Sequence, residues 1–191
     1  MMTDDKIKEK LQQYFIIKGM ISIENGLVSC TGNVNLKKDP KIEGLPVKFK
    51  KVDGSFDCYN NQLTSLAGAP QSVDGGFYCS SNKLTSLAGA PRYVGKSFHC
   101  MYNPLTSLAG APQYVGEVFY LTYGKNLALL PLLMIKGCKQ VLFPIIPYVS
   151  YHFDNESLSA ILNRYLGTGT RGMLACAEEM IEAGYGSNAT L

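Results

Sequence analysis

The chain has 191 residues, of which 46% are hydrophobic and 17% charged, with a formal net charge of +3 at pH 7. This is the size of one ordinary domain with enough apolar residues for a continuous core, and the small net charge gives the whole molecule little attraction to nucleic acid or anionic membranes. The longest apolar stretch, residues 127–135, is far shorter than the roughly 20 residues that span a bilayer, so no transmembrane helix is predicted.

The N-terminal residues predict a helix followed by a hairpin. Residues 4–18 carry apolar side chains at helical spacing and end near Gly19, which is typical of an amphipathic helix. Two short alternating runs, 21–23 and 27–29, flank Asn25-Gly26, the strongest short-range signal of a tight hairpin. We expect residues 1–43 to form an N-terminal cap.

The beginning of the chain and its cysteines both favour a cytoplasmic protein. Residues 1–6 contain two aspartates where a signal peptide would be basic. Six cysteines could form a disulfide framework in a small secreted chain, but three of them recur at one position of a repeat.

A basic stretch precedes the first full repeat. We interpret it as a solvated edge, and the alternative is a contact with an acidic protein or a phosphate backbone. Three acidic residues interrupt it. The lysines are Lys37, Lys38, Lys41, Lys48, Lys50 and Lys51.

An internal repeat with a constant offset of 21 residues dominates residues 44–126. The segment Leu-Thr-Ser-Leu-Ala-Gly-Ala-Pro occurs three times unchanged, at 63–70, 84–91 and 105–112. Aromatic, thiol and amide side chains recur in the same frame. They are Phe56, Phe77, Phe98 and Phe119; Cys58, Cys79 and Cys100; and Asn61, Asn82 and Asn103.

The unit Phe-x-Cys-x-x-Asn-x-Leu fits the leucine-rich-repeat template L-x-L-x-x-N/C-x-L. Alternation along a strand sends Phe and Cys to the core and the residues between them to the other face. The Asn amide can bond backbone groups of the neighbouring turn, and Ala-Gly-Ala-Pro suits a tight return without a helix. The predicted fold is an α/β solenoid of short leucine-rich repeats with parallel β-strands and helical N- and C-terminal caps.

The repeat resembles bacterial-type leucine-rich repeats, and it is more similar to those of bacteriophage-encoded proteins. In that family Leu-Thr-Ser-Leu-x-Gly-x-Pro alternates with Val-x-Gly-x-Phe-x-Cys, as at 73–79 and 94–100. The similarity is strong over residues 44–123 and extends to both flanks. It implies a viral protein in the cytoplasm of the host cell, with a protein of the bacterial host as its partner.

After Phe119 the repeat decays, because Leu121 replaces Cys and Gly124 replaces Asn. Residues 127–191 predict a C-terminal cap, joined with the rest in one cooperative unit. Its predicted elements are an apolar helix or buried turn at 127–136, a strand at 140–143, a helix from Asp154 or Asn155 to about Tyr165, and a helix from Thr170 to Gly184.

The sequence gives little reason to expect an enzyme. The repeated cysteines occupy inward positions, whereas a catalytic thiol must be exposed beside a base, and three sulfurs in a line do not make a tetrahedral metal site. Residues 167–172 satisfy G-x-G-x-x-G but follow a helix rather than a strand, so we interpret them as a turn. We predict a non-enzymatic protein with no cofactor and no metal.

The positions between and beside the inward residues predict three columns on the concave face. They are Asp57, Tyr78, His99 and Tyr120; Tyr59, Ser80, Met101 and Thr122; and Asn60, Ser81, Tyr102 and Tyr123. Aromatic residues and Met are enriched in buried interface cores, and the columns contain no lysine or arginine. The predicted partner-binding residues are Asp57, Tyr59, Asn60, Tyr78, His99, Met101, Tyr102, Tyr120 and Tyr123.

Several functions are compatible with this face. We predict a protein-binding module, and by analogy with the bacteriophage family an inhibitor of a host defence protein. Tyrosines also favour strands without any ligand, and they stack on bases when basic residues line the groove. The alternatives are therefore a purely structural role of the tyrosines, a nucleotide or nucleic-acid sequestering protein, and a structural virion component. A small-molecule ligand stays open, and no membrane contact is expected.

Overall fold

The computed structural model describes residues 2–122, 124, 127–143, 155–168 and 170–190. Its helices are α1 (Asp4–Tyr14), α2 (Asn155–Tyr165) and α3 (Thr170–Glu182), with 3-10 turns at Leu130–Met134 and Gly186–Asn188. Its strands are β1 (Phe15–Lys18), β2 (Ile21–Glu24), β3 (Leu27–Cys30), β4 (Asn33–Leu36), β5 (Lys48–Val52), β6 (Phe56–Asp57), β7 (Ser72–Val73), β8 (Phe77–Tyr78), β9 (Tyr93–Val94), β10 (Phe98–His99), β11 (Tyr114–Val115), β12 (Val118–Tyr120) and β13 (Gln140–Leu142).

The strands form two sheets, and each coil of the repeat contributes one strand to each sheet. The seven-stranded sheet has the order β1-β4-β6-β8-β10-β12-β13, and the six-stranded sheet has the order β11-β9-β7-β5-β3-β2. Strands from successive coils pair in parallel with an offset of 21 residues, as Phe56 does with Phe77 and Phe98 with Phe119. The chain is therefore a β-solenoid of about five turns, which confirms the predicted period and strand direction.

The core lies between the two sheets and is built from residues that repeat. Phe56, Phe77, Phe98 and Phe119 are fully buried on the seven-stranded sheet. Their ring centroids follow one another at 5.5, 5.5 and 5.0 Å. The six-stranded sheet faces them with a column of fully buried valines. These are Val52, Val73, Val94 and Val115.

Two of the three repeated asparagines, Asn82 and Asn103, bond the backbone of neighbouring coils, as the sequence predicts. Asn82 donates to the carbonyls of Cys58 and Cys79 at 2.9 and 3.0 Å, and its Oδ1 accepts the amide N–H of Leu63 at 2.9 Å. Asn103 repeats this pattern one coil later. The amide thus satisfies polar backbone groups that a turning chain would otherwise bury without partners.

The Ala-Gly-Ala-Pro segments form the tight returns. Gly68, Gly89 and Gly110 have φ angles of +95°, +90° and +85°, a region that L side chains rarely adopt. A Cβ atom on Gly89 would lie 2.7 Å from the carbonyl carbon of Leu66, so backbone of the preceding coil also occupies the space.

The N-terminal region differs from the prediction in where the helix ends. The predicted helix over residues 4–18 stops at Tyr14, and Phe15–Lys18 pairs antiparallel with β4 instead. The reason is a change from period 3.6 to period 2, since Phe15 is buried, Ile16 exposed and Ile17 half-buried. The hairpin of β2 and β3 around Asn25-Gly26 is confirmed.

The C-terminal elements follow the predicted order. Leu130–Met134 forms a 3-10 turn whose three leucines are buried, and β13 continues the seven-stranded sheet by pairing in parallel with β12. Asn188 is fully buried, and its amide donates to the carbonyls of Gly124 and Leu127 at 2.9 and 2.8 Å. The end of the chain therefore contacts the segment in which the repeat decays. Within the described residues, no helix is long and apolar enough to cross a membrane.

Candidate functional site

Four outward side chains on the seven-stranded sheet form a continuous column. Asp57, Tyr78, His99 and Tyr120 are paired in register on β6, β8, β10 and β12, and each is half-buried. The rings of Tyr78 and His99 lie 4.8 Å apart between centroids, and those of His99 and Tyr120 lie 4.2 Å apart. We call these four residues the outer column.

A glycine makes room for the first tyrosine of the outer column. A Cβ atom on Gly76 would lie 2.6 Å from Oη and 2.7 Å from Cζ of Tyr78, so the phenol ring lies directly over this glycine. The equivalent positions in the neighbouring coils are Ser55 and Ser97. Gly76 therefore fixes where the Tyr78 ring can lie.

His99 is held as a neutral ring inside the column. Burial lowers the pKa of its imidazole below the ordinary value, because the charged form loses hydration there. The uncharged imidazole stacks on Tyr120 with an interplanar angle of 20°. The three rings consequently form a polarizable surface without formal charge at neutral pH.

The other two predicted columns do not lie on strands. The strands of the seven-stranded sheet end at residues 57, 78 and 99, so Tyr59, Met101 and their neighbours lie in the corners that follow. Asn60, Ser81 and Tyr102 have φ angles of 56°, 57° and 55°. Their predicted placement on strands is wrong, because each short strand ends before them and the chain turns through a left-handed conformation three residues after the strand end.

The corner residues differ widely in exposure. Tyr59 and Tyr102 are 40% and 46% exposed, whereas Ser80 is only 3% exposed and cannot belong to a binding surface. Tyr123, which the sequence predicts in the same group, lies outside the described residues. The structure thus brings one ring column together and adds two exposed corner tyrosines beside it.

Part of the basic stretch borders this surface. The Lys38 ammonium lies 5.0 Å from the ring centroid of Tyr59, and Lys41 donates to Oδ1 of Asn60 at 3.4 Å. Lys50 and Lys51 lie on the six-stranded sheet instead. The lysines therefore do not form one basic edge.

Sequence reasoning missed a pair of tyrosines on the six-stranded sheet. Tyr93 and Tyr114 are paired in register, and their rings stack at 4.9 Å with an interplanar angle of 11°. Each directly precedes a buried valine of the repeat, so strand alternation from Val94 and Val115 could have placed them on the outer face.

The cysteine ladder is confirmed as buried and free of disulfides. Burial raises the pKa of Cys58, Cys79 and Cys100, so these thiols stay protonated at neutral pH. The thiol of Cys79 lies 3.3 Å from the carbonyl oxygen of His99. Such thiols supply no nucleophile. Across the part of the chain that the structure describes, no group of three or more His, Cys, Asp or Glu side chains is arranged to hold a metal ion.

Comparison of the chain with protein-family models, with curated proteins and with solved structures gives no significant match.

Proposed function

We propose that this chain is a leucine-rich-repeat protein that binds another protein, without catalysis, through the outer column and the corner residues beside it. The observation that carries the proposal is the uninterrupted ring stack of Tyr78, His99 and Tyr120 on an outward sheet face. Folding alone does not require rings there, because the same position holds Asp57 in the preceding coil.

The ring stack has the properties of a protein-binding surface. Tyrosine contributes a large contact area at a low entropic cost, and a ring already held between neighbours loses little further freedom on binding. Tyr59 and Tyr102 extend the surface at the corners, and half-buried Met101 lies between the two corner tyrosines in sequence. The best-fitting partner surface is apolar, with a carboxylate placed near Lys38 or Lys41.

The leucine-rich-repeat assignment rests on the asparagine ladder and the inward Phe-x-Cys pattern. We propose that the flanks act as caps, since α1 buries Ile7 and Leu11 and the C-terminal Asn188 bonds the decayed repeat. The similarity to bacteriophage repeats extends the proposal to its partner, a bacterial host protein, and to antagonism of a host defence system.

The proposal is tested by capture from a bacterial lysate with the full chain as bait. We expect one stoichiometric partner with the unaltered chain and loss of that partner with the double variant Tyr78→Ala/Tyr120→Ala. Tyr93→Ala is the matched control, because it removes an exposed tyrosine from the opposite sheet. With the purified partner, the double variant should bind at least about tenfold more weakly by calorimetry.

Gly76→Ala provides a subtler test of the same face. It leaves every tyrosine in place, but its Cβ collides with the Tyr78 ring and must displace it. We expect weaker partner binding and a small change in stability. The proposal is contradicted if the double variant Tyr78→Ala/Tyr120→Ala captures as much partner as the unaltered chain does.

A further inference from the structure

We propose a second binding site on the six-stranded sheet, where a base of single-stranded nucleic acid stacks on Tyr93. This site goes beyond the proposed protein-binding function and lies on a different sheet. It consists of a column of paired outward positions with an aromatic pair in the middle and a lysine at each end. The column is Lys51, Ser72, Tyr93, Tyr114 and Lys136.

One face of the Tyr93 ring is covered and the other faces a gap. Tyr114 stacks on one face, and the far side of Tyr114 is closed by Gly137, on which a Cβ atom would lie 2.5 Å from the ring. On the other side the paired residue is Ser72, whose short side chain cannot cover the ring. Tyr93 is accordingly 41% exposed.

The gap over Ser72 is one strand wide, between Tyr93 and Lys51. Lys51 is the next residue of the column, two strands away from Tyr93, and neighbouring strands lie about 4.8 Å apart. The ammonium of Lys51 is held by Asp53 at 2.7 Å and Asp74 at 2.9 Å. Hydrogen bonds to Asp53 and Asp74 raise its pKa. The far wall of the gap is therefore a fixed ion cluster that can bond the polar edge of a base.

The basic side chains beside the aromatic pair suit a phosphate backbone, whereas the Lys51 end of the column also carries the carboxylates of Asp53 and Asp74. Arg92, Lys96 and Lys136 are exposed, and none of them has an ion-pair partner among the described residues. Stacking rings beside basic side chains are what single-stranded nucleic acid requires, whereas a polyanion without rings, such as polyglutamate, cannot fill the gap.

The test uses fluorescence anisotropy of the full chain with a labelled oligothymidylate of about 12 nucleotides. We expect binding that weakens as salt rises, because phosphate contacts release counterions. Tyr93→Ala should weaken binding about tenfold, and Tyr93→Phe, which keeps the stacking ring, should restore it. An abasic oligomer of the same length should bind about tenfold more weakly than the thymidylate.

Two further variants separate stacking from charge. Ser72→Leu fills the gap and should weaken binding, whereas Ser72→Ala leaves the gap open. Arg92→Ala/Lys136→Ala should reduce the salt dependence more than Lys6→Ala/Lys10→Ala, which removes the same charge from α1. Thermal melting checks that each variant is folded.

The proposal is overturned if the unaltered chain does not bind the oligomer at low salt. Equal affinity for the abasic oligomer or for polyglutamate would also overturn it, as would an unchanged affinity of Tyr93→Ala. Because every probe is a purified polymer and no lysate is present, these outcomes are independent of whether a protein partner is captured on the other sheet.

Discussion

The strands β6, β8, β10 and β12 carry two ladders that differ in how strictly they repeat. The inward ladder is phenylalanine in all four coils, stacked at 5.0 to 5.5 Å. The outer column, one residue later in each coil, changes from Asp57 through tyrosine and histidine to Tyr120. Both ladders lie on the same strands, so the difference shows that packing restricts the residue type only on the inward side. The outward side is free to vary with its contacts.

The strongest way to break this comparison is to remove one ring from each ladder. Phe98→Ala leaves a cavity in the middle of the buried stack and should lower the free energy of unfolding by about 3–5 kcal/mol. Tyr78→Ala removes a half-buried ring at the surface and should cost about 1 kcal/mol or less. Both values come from denaturant unfolding followed by circular dichroism. Similar losses for the two variants would show that the outer column is also structural.

A second comparison lies within the asparagine ladder. Asn82→Ala removes the amide's bonds to the carbonyls of Cys58 and Cys79 and leaves the Leu63 amide buried without its acceptor. We expect a loss of about 1–3 kcal/mol of unfolding free energy.

Asn61 is the matched control, since its buried Oδ1 has no hydrogen-bond partner in the described residues. Its amide donates only to the carbonyl of Tyr59, at 3.4 Å. Asn61→Ala should therefore destabilise the chain less than Asn82→Ala. The reverse order would contradict the role assigned to the ladder.

The smallest expected effect is a gain in stability. Tyr102 has a φ of 55°, which is unfavourable for a bulky residue. The equivalent residue two coils earlier is Asn60, which has a φ of 56° and tolerates this conformation. Tyr102→Asn should raise the free energy of unfolding by up to about 1 kcal/mol. It should also weaken partner binding.

Tyr59→Asn serves as the control, because Tyr59 is not among the residues with positive φ. It should give no gain in thermal midpoint. If Tyr102→Asn lowers the midpoint instead, the corner tyrosine stabilises the fold and its strained backbone needs another explanation.

The fold was largely predictable because the length of the repeat determines which residues pair between successive coils. A constant offset of 21 residues aligns each coil with the next, and alternation from Phe to Cys gives the inward side. The end of the N-terminal helix was predicted near Gly19, whereas the helix ends at Tyr14. A short run such as Phe15-Ile16-Ile17 satisfies helical and strand periodicity almost equally, and pairing with β4 decides between them.

The candidate surface was predictable only where strands continue. The outer column follows from alternation, but the strands are too short to carry the pattern to Tyr59 or Tyr102. The left-handed corner positions are occupied by Asn60, Ser81 and Tyr102. Because these residue types share no preference for a positive φ, the sequence does not indicate the turn. Tyr93 and Tyr114 were missed because the second strand of each coil had not been recognised.

The in-register pairing of successive coils has an evolutionary consequence. In the described strands of the seven-stranded sheet, each coil pairs with its neighbouring coils, and a position of one coil meets the same position of the next. A single in-frame duplication of one coil therefore creates no new kind of contact inside the molecule. It would lengthen both outward faces together, by one side chain each, and subsequent point mutations could then adapt the added side chains to a new ligand while the core stays unchanged.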